Sequence, residues 1–248
     1  MSAHPILEVR KVSRYFGKFK ALSDVSVSFR AGELTAIIGP NGAGKSTFFN
    51  VISGGVAPSE GQVLFEDRDI TGMPPHLFAR HGIAKSFQIT NVFKQLSAHE
   101  NVRVALQMQT SRFQLLRPRS SYRELIERAD ALLTRVGLQH CRDRIAGDMA
   151  HGQQRSLEVA MALACDPKLL LMDEPTAGMS PEETVVMMEL IRQLAQERTV
   201  ILVEHKMKMV MGLCSRLIVL HHGELLVDGT PEEIRNNAEV KRVYLGQG

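Results

Sequence analysis

The chain has no tryptophan, few cysteines and no apolar run approaching the ~18 residues needed to cross a bilayer. Each shortage closes off a class of protein. Cys141, Cys165 and Cys214 are scattered and form no CxxC pair, so no disulfide framework or thiolate metal site is expected. They read as the reduced thiols of a cytosolic protein. With no spanning run, work at a membrane requires docking to another protein. The opening residues MSAHPILEVRK lack the basic-then-apolar order of a secretory signal. Neither charge sign dominates: 30 basic residues against 27 acidic ones leave a formal net charge of +3. That is too little to point to nucleic acid, and none is expected as a partner. No internal repeat or low-complexity tract appears.

What is present suits a globular protein with a sizeable core: 248 residues, 44% hydrophobic and 23% charged. The first third reads as strands. Val25, Val27 and Phe29 alternate with polar residues, and Leu34–Ile38 is a short apolar run followed by a glycine-rich loop and a helix from Lys45. Gly61–Glu66 reads as a further strand. From about Pro74 to Ala164 helical signals dominate. Ser97-Ala98-His99-Glu100 has capping-box spacing, and Tyr122–Val136 is amphipathic. Strand and helix then alternate: strands over Lys168–Met172, Thr199–Glu204 and Arg216–Leu220, and a helix over Pro181–Glu197. His222-Gly223 turns the chain into a short hairpin strand, and Thr230-Pro231-Glu232-Glu233 opens a last helix. The pattern is α/β, a mainly parallel sheet interrupted by a helical insert.

The segment GPNGAGKST, Gly39 to Thr47, carries Gly39, Gly44, Lys45 and Ser46 at the fixed places of a phosphate-binding P-loop. A buried strand precedes it and a helix follows, as that chemistry requires. Glycines let backbone N–H groups turn inward around phosphate oxygens, and the helix N-terminus adds positive potential. Lys45 is expected to bridge the β- and γ-phosphates and Ser46 to ligate Mg²⁺; Asn41, Gly42, Ala43 and Thr47 complete the cradle. LLLMDE, Leu169 to Glu174, is an apolar strand ending in adjacent acids. Such a strand delivers carboxylates where α/β folds bind ligands. Asp173 is expected to hold Mg²⁺ through water, and Glu174 to polarise the attacking water as general base.

With these motifs in place the whole chain resembles the ATP-binding subunits of ABC transporters. That resemblance implies a P-loop NTPase core with a mainly parallel sheet, an N-terminal antiparallel β portion and an inserted helical subdomain. The core would cover about 1–90 and 164–248, the insert about 91–163. Gln88, in KSFQITNVF, stands at the family's Q-loop glutamine, which senses Mg²⁺ and touches the membrane partner. Met149 to Arg155 (MAHGQQR) matches the LSGGQ signature imperfectly. There Ala150, Gly152 and Gln153 would close over nucleotide held by a second subunit. Ala150 stands where serine is usual and His151 where glycine is. His205, in LVEHKM, holds the switch-histidine position and would contact the γ-phosphate. Phe16 matches the aromatic that stacks on adenine, with Tyr15 as the alternative. Ser180 stands at the D-loop where aspartate is commoner, and the capping box Ser180-Pro181-Glu182-Glu183 makes it largely a helix cap. Taken singly, Gln88, Phe16 and His205 have ordinary structural readings; their joint order around the nucleotide motifs carries the resemblance.

GTPEEIRNNAEVKRVYLG, GIAKSFQ and HGQQR look like the ATPases of branched-chain or hydrophobic amino acid importers. Lipopolysaccharide- or lipid-export ATPases, with a similar VKRVYLG ending, are the closest rival, and a soluble, non-transport ABC ATPase is the more distant alternative. The implied ligands are ATP and Mg²⁺. The implied partners are integral membrane permease subunits, a second and non-identical ABC ATPase and, indirectly, a solute-binding protein. The implied location is cytoplasmic, peripheral on the inner face of the cell membrane. Arg112, Arg117, Arg119 and Arg123 form a basic run with two readings, a surface toward lipid headgroups or a membrane subunit and, more commonly, a solvated face.

Overall fold

The computed structural model describes residues 4–86, 92–108 and 119–245. The chain begins with β1 (Pro5–Phe16), β2 (Phe19–Arg30) and β3 (Leu34–Ile38), then α1 (Lys45–Ile52), β4 (Glu60–Phe65), β5 (Arg68–Asp69), α2 (Pro75–Phe78) and β6 (Ile83–Ser86). Helices α3 (Ala98–Met108), α4 (Arg119–Arg135) and α5 (His151–Leu163) follow. Next come β7 (Leu169–Asp173), α6 (Pro181–Ala195), β8 (Thr199–Val203), α7 (Met207–Leu213), β9 (Arg216–His221), β10 (Glu224–Gly229), α8 (Pro231–Asn236) and α9 (Ala238–Leu245).

The strands form an antiparallel sheet in the order β2-β1-β4-β5 and a six-stranded sheet in the order β10-β9-β3-β8-β7-β6. In the second, β9, β3, β8, β7 and β6 pair in parallel, and β10 returns antiparallel beside β9. Parallel strands need helices on both faces, so their sequences are apolar throughout instead of alternating. Every residue of β3, β7 and β8 is buried. Successive side chains still divide between faces. Ala36, Leu170 and Leu202 pack with the helices α3 to α6, whereas Ile37, Leu171 and Ile201 pack with α1 and the antiparallel sheet. Each such side chain contributes about 1.5–3 kcal/mol relative to exposure, so burial on two faces, more than strand propensity, holds the sheet centre.

Strand β6 departs from the helical reading of residues after Pro74. Four residues are too few to show a period, and the strand exists because β7 offers it a parallel edge, from Ile83 opposite Leu169 to Ser86 opposite Met172. The predicted caps form as expected. Ser97 Oγ accepts the Glu100 N–H at 3.1 Å, and Ser180 Oγ and Thr230 Oγ1 accept those of Glu183 and Glu233 at 3.2 and 3.3 Å. The fully buried Asn101 ties the segment ahead of α3 into shape: its Oδ1 accepts the Phe93 N–H at 2.7 Å and its Nδ2 donates to Ser97 O at 2.9 Å. Among the described residues no helix is long and apolar enough to cross a membrane. Among the described residues Cys141, Cys165 and Cys214 are not joined in disulfides. Arg112 and Arg117 lie outside the described residues, and Arg123 pairs with Glu127 on the exposed side of α4.

Candidate functional site

The loop from Gly39 to Gly44 joins the end of β3 to α1 and is shaped by close backbone approach. Gly39 has φ 155°, and a Cβ there would stand 2.2 Å from Leu220 O. Gly44 has φ 95°, and a Cβ there would stand 2.8 Å from Ala21 O. Any other residue would push β9 or β2 away from the loop. Lys45, the first residue of α1, is 8% exposed and folds over the loop, donating to Gly39 O at 2.7 Å and Pro40 O at 2.8 Å. Burial pushes its ammonium pKa down, and the charges of Glu174 and Asp173 oppose that shift. Ala43 is buried; Asn41, Gly42 and Ser46 are exposed, and Thr47 is half-buried.

Because β3, β8 and β7 are parallel neighbours, their C-terminal ends bring this loop, His205 and the acidic pair to one edge of the sheet. Asp173 closes β7 and is buried; burial pushes its carboxyl pKa up, and the Lys85 ammonium opposes the rise. Glu174 turns the chain with φ 45°, a left-handed conformation costing a non-glycine residue about 1 kcal/mol. Its N–H donates to Val203 O at 2.9 Å, which seats the turn against β8. Its Oε1 lies 3.7 Å from His205 Nδ1, and both side chains keep an exposed flank.

Lys85 was not foreseen from the sequence. It projects from β6, the strand leading to Gln88, and its Nζ donates to Asn50 Oδ1 at 3.0 Å and Ser53 Oγ at 3.2 Å while standing 4.9 Å from the Phe49 ring. It thereby links β6 to the C-terminal end of α1 and faces Asp173 electrostatically. A lysine inside the short apolar stretch IAKS was the available signal. Gln88 itself lies outside the described residues.

The signature and D-loop residues gather in a second cluster at the starts of α5 and α6. Ala150 is the N-cap of α5, and its N–H is accepted by Gln153 Oε1 at 3.1 Å. Alanine has no side-chain acceptor, so this is half a capping box. His151 is the first helical residue and has no positive φ, so the usual glycine is not needed there for backbone reasons. Its ring lies against Gly178, where a Cβ would stand 3.3 Å from His151 Cε1. Gly152 donates its N–H to Glu183 Oε1 at 3.2 Å, while Glu183 Oε2 accepts the Ser180 N–H at 3.0 Å. Phe16 sits at the tip of the β1–β2 hairpin, 46% exposed, with the Arg14 guanidinium 4.7 Å from its ring. Tyr15 has the Lys20 ammonium 5.6 Å from its ring.

A phosphate-type loop, acids at the end of the neighbouring strand and a switch-type histidine define a nucleotide-binding class. The comparisons place the chain within it. The ABC transporter family model matches residues 22–177, and that of the branched-chain amino acid ATP-binding cassette transporter matches residues 224–248. The high-affinity branched-chain amino acid transport ATP-binding protein LivG of Escherichia coli is 39% identical, with 99% of each chain covered. The probable LivG of Archaeoglobus fulgidus is 37% identical, over 97% of this chain and 95% of its own. A nucleotide-free ATP-binding cassette from an ABC transporter superposes with a TM-score of 0.85 at 33% identity, over 97% of this chain and 99% of that one. An ABC transporter cassette in its ADP conformation gives 0.86 at 32%, over 98% and 100%. The chain belongs to the ABC transporter family, as one of its ATP-binding, ATP-hydrolysing cassettes, built on a P-loop NTPase core.

Proposed function

We propose that this cassette drives a membrane importer for branched-chain amino acids or related solutes. The observation that carries its chemistry is the Glu174–His205 pair, 3.7 Å apart at the strand ends beside the Lys45 loop. The likeness to LivG along nearly the whole chain supports the solute class.

In this reading Lys45 releases the loop carbonyls and pairs with the β- and γ-phosphates, and the backbone of residues 39 to 44 wraps them. Glu174 accepts a proton from the attacking water as general base, and His205 beside it donates a hydrogen bond to the γ-phosphate. Asp173 and Ser46 offer hard oxygen donors, and no group of three or more His, Cys, Asp or Glu among the described residues forms a protein cage for a metal. That suits Mg²⁺, which is held by few protein oxygens together with phosphates. Held by Ser46 and Asp173, the ion would supply charge that offsets that of the phosphates. Gln88 senses it, and Phe16 lies under adenine. Ala150, Gly152 and Gln153 act on nucleotide held by a second cassette. Residues of about 1–90 and 164–248 make the nucleotide core, and about 91–163 make the helical subdomain.

The partners are integral membrane permease subunits, with a solute-binding protein upstream, and the cassette sits on the cytoplasmic face of the membrane. The second cassette is non-identical. Ala150 brings no hydroxyl, and Ser180 Oγ is engaged with the Glu183 N–H and Glu182 Oε2, so this chain offers a partner few side-chain contacts. The test is co-purification in mild detergent, reconstitution in vesicles and ATP-driven uptake of labelled leucine. Glu174→Gln should keep ATP binding and lose ~10²–10⁴-fold in turnover. Uptake absent from the wild-type complex, or near-normal hydrolysis by that variant, would overturn the reading. Full transport from a complex containing this cassette alone would overturn the non-identical partner.

A further inference from the structure

Glu204 is an acid that the proposed chemistry leaves unused. It follows β8 directly, precedes His205 and is 1% exposed. Its own N–H donates to Ile37 O at 3.3 Å, next to the phosphate loop. Its Oε1 accepts the Thr176 hydroxyl at 2.8 Å and the Thr176 N–H at 3.4 Å, and its Oε2 accepts the His205 N–H at 3.3 Å. Thr176 is fully buried, lies two residues beyond Glu174 and accepts the Lys206 ammonium on its carbonyl at 3.4 Å. One carboxylate therefore joins the turn that carries Glu174 to the turn that carries His205.

The carboxylate is removed from water, and its charge bears on the buried Asp173 carboxyl and the Cys214 thiol. A neutral amide of the same shape would lack one acceptor oxygen and leave a buried donor unpaired. The turn it grips is itself strained, with Glu174 at φ 45°. A strained residue persists where its surroundings over-determine it, and the Glu204 bonds supply that constraint.

We infer that Glu204 is a positioning residue that sets the Glu174–His205 separation by clamping Thr176 and the His205 backbone to one carboxylate. The inference rests on the hydrolytic reading of that pair. A clamp and a merely structural residue differ in what their loss does. Loss of a structural residue lowers stability and activity together. Loss of a clamp lowers turnover in protein that is still folded at the assay temperature.

The experiment compares wild type, Glu204→Gln, Thr176→Val and the double variant in the complete transporter complex, with Glu174→Gln as reference. In Glu204→Gln the amide has one acceptor oxygen for donors on two sides, so one side is released. The expected result is a ~10- to 100-fold fall in kcat. KM for ATP should stay within about twofold, and the melting temperature should fall by no more than about 10 °C, leaving the protein folded at the assay temperature. The double variant should lose no more than the worse single one, because both cut the same link. A kcat within about twofold of wild type, a fall in kcat accounted for by unfolded protein at the assay temperature, or additive losses in the double variant would each overturn the clamp. If Glu174→Gln loses turnover while Glu204→Gln keeps it, the clamp fails alone. If Glu174→Gln keeps turnover, the hydrolytic reading fails and the clamp falls with it.

Discussion

The Glu183 carboxylate lies against the α-carbon of Gly152 and takes its N–H at 3.2 Å, so one acid caps two helices. As the third residue of α6 it returns to the Ser180 N–H, and across the packing seam it meets the start of α5. A Cβ on Gly152 would stand 2.5 Å from Glu183 Oε1. The contact therefore needs glycine, although Gly152 has no positive φ. The magnitudes separate two substitutions. Glu183→Ala leaves N–H groups uncapped at both helices and should cost about 2 kcal/mol. Gly152→Ala only swings the flexible carboxylate aside, and the better helix propensity of alanine returns up to ~1 kcal/mol. It should change stability by less than about 1 kcal/mol. Urea unfolding of both variants checks the order; a Gly152→Ala loss equal to or above that of Glu183→Ala would show that the glycine is needed for another reason.

In the proposed reading Lys45 bears on nucleotide binding more than on folding. Its removal frees the carbonyls of Gly39 and Pro40, which can turn to water on the exposed side of the loop, and relieves a buried charge. Charge-assisted hydrogen bonds contribute ~1.5–3 kcal/mol, so Lys45→Ala should weaken ATP binding by about 10- to 100-fold. Its unfolding midpoint should stay near that of the wild type. Calorimetric titration decides the matter, and equal ATP affinity would remove Lys45 from the phosphates.

Lys85→Met keeps the aliphatic stem over Phe49 but removes the donor to Asn50 and Ser53 and the charge facing Asp173. The expected loss is about 1–2 kcal/mol at neutral pH. The sign of its pH dependence follows from Asp173. Burial raises that carboxyl above its ordinary 3.8, so its contribution to stability is full in acid and is lost as pH rises through the folded value. Lys85 opposes the rise, and without it the loss grows. The deficit of Lys85→Met should therefore be largest near neutrality and shrink toward acid. Chemical denaturation at two pH values tests this; a deficit that grows in acid contradicts it.

How far the sequence disclosed this arrangement depends on the range of the interactions. The strands β3, β7 and β8 are visible because burial on both faces leaves unbroken apolar runs, and the phosphate loop because its glycines have fixed spacing. Caps are local, and Ser97, Ser180 and Thr230 behave as their neighbours imply. Strand β6 is hidden because it depends on β7, more than eighty residues along the chain at Ile83–Leu169. Glu204 resembles an ordinary polar strand end, and only the packing around it makes it a buried acid bonded to Thr176. The Gly152–Glu183 contact spans 31 residues, and no periodicity reports a pairing of that kind.

At Ala150 the capping of α5 and the proposed contact with a second cassette meet at a single position. It is the N-cap of α5, with φ −59° and ψ 153°, the extended geometry in which a serine hydroxyl can accept the N–H of Gln153. No side-chain acceptor is present there now, and the cap rests on Gln153 reaching back to the Ala150 N–H. Ala150→Ser should complete the box and stabilise the chain by about 0.5–2 kcal/mol. For a chain of this size that raises the melting temperature by about 2–4 °C for each kcal/mol. Its effect on closure with a second cassette should be smaller. The backbone N–H groups at the start of α5 remain to face an anion, and a hydroxyl used as a helix cap is partly committed. Sedimentation in Mg-ATP of Glu174→Gln, with and without Ala150→Ser and with the partner cassette present, measures the second effect. A tightening of tenfold or more, about 1.4 kcal/mol, would mean that the hydroxyl acts across the interface as well as along its own helix. An unchanged melting temperature would mean that Gln153 already supplies all the capping the helix can use.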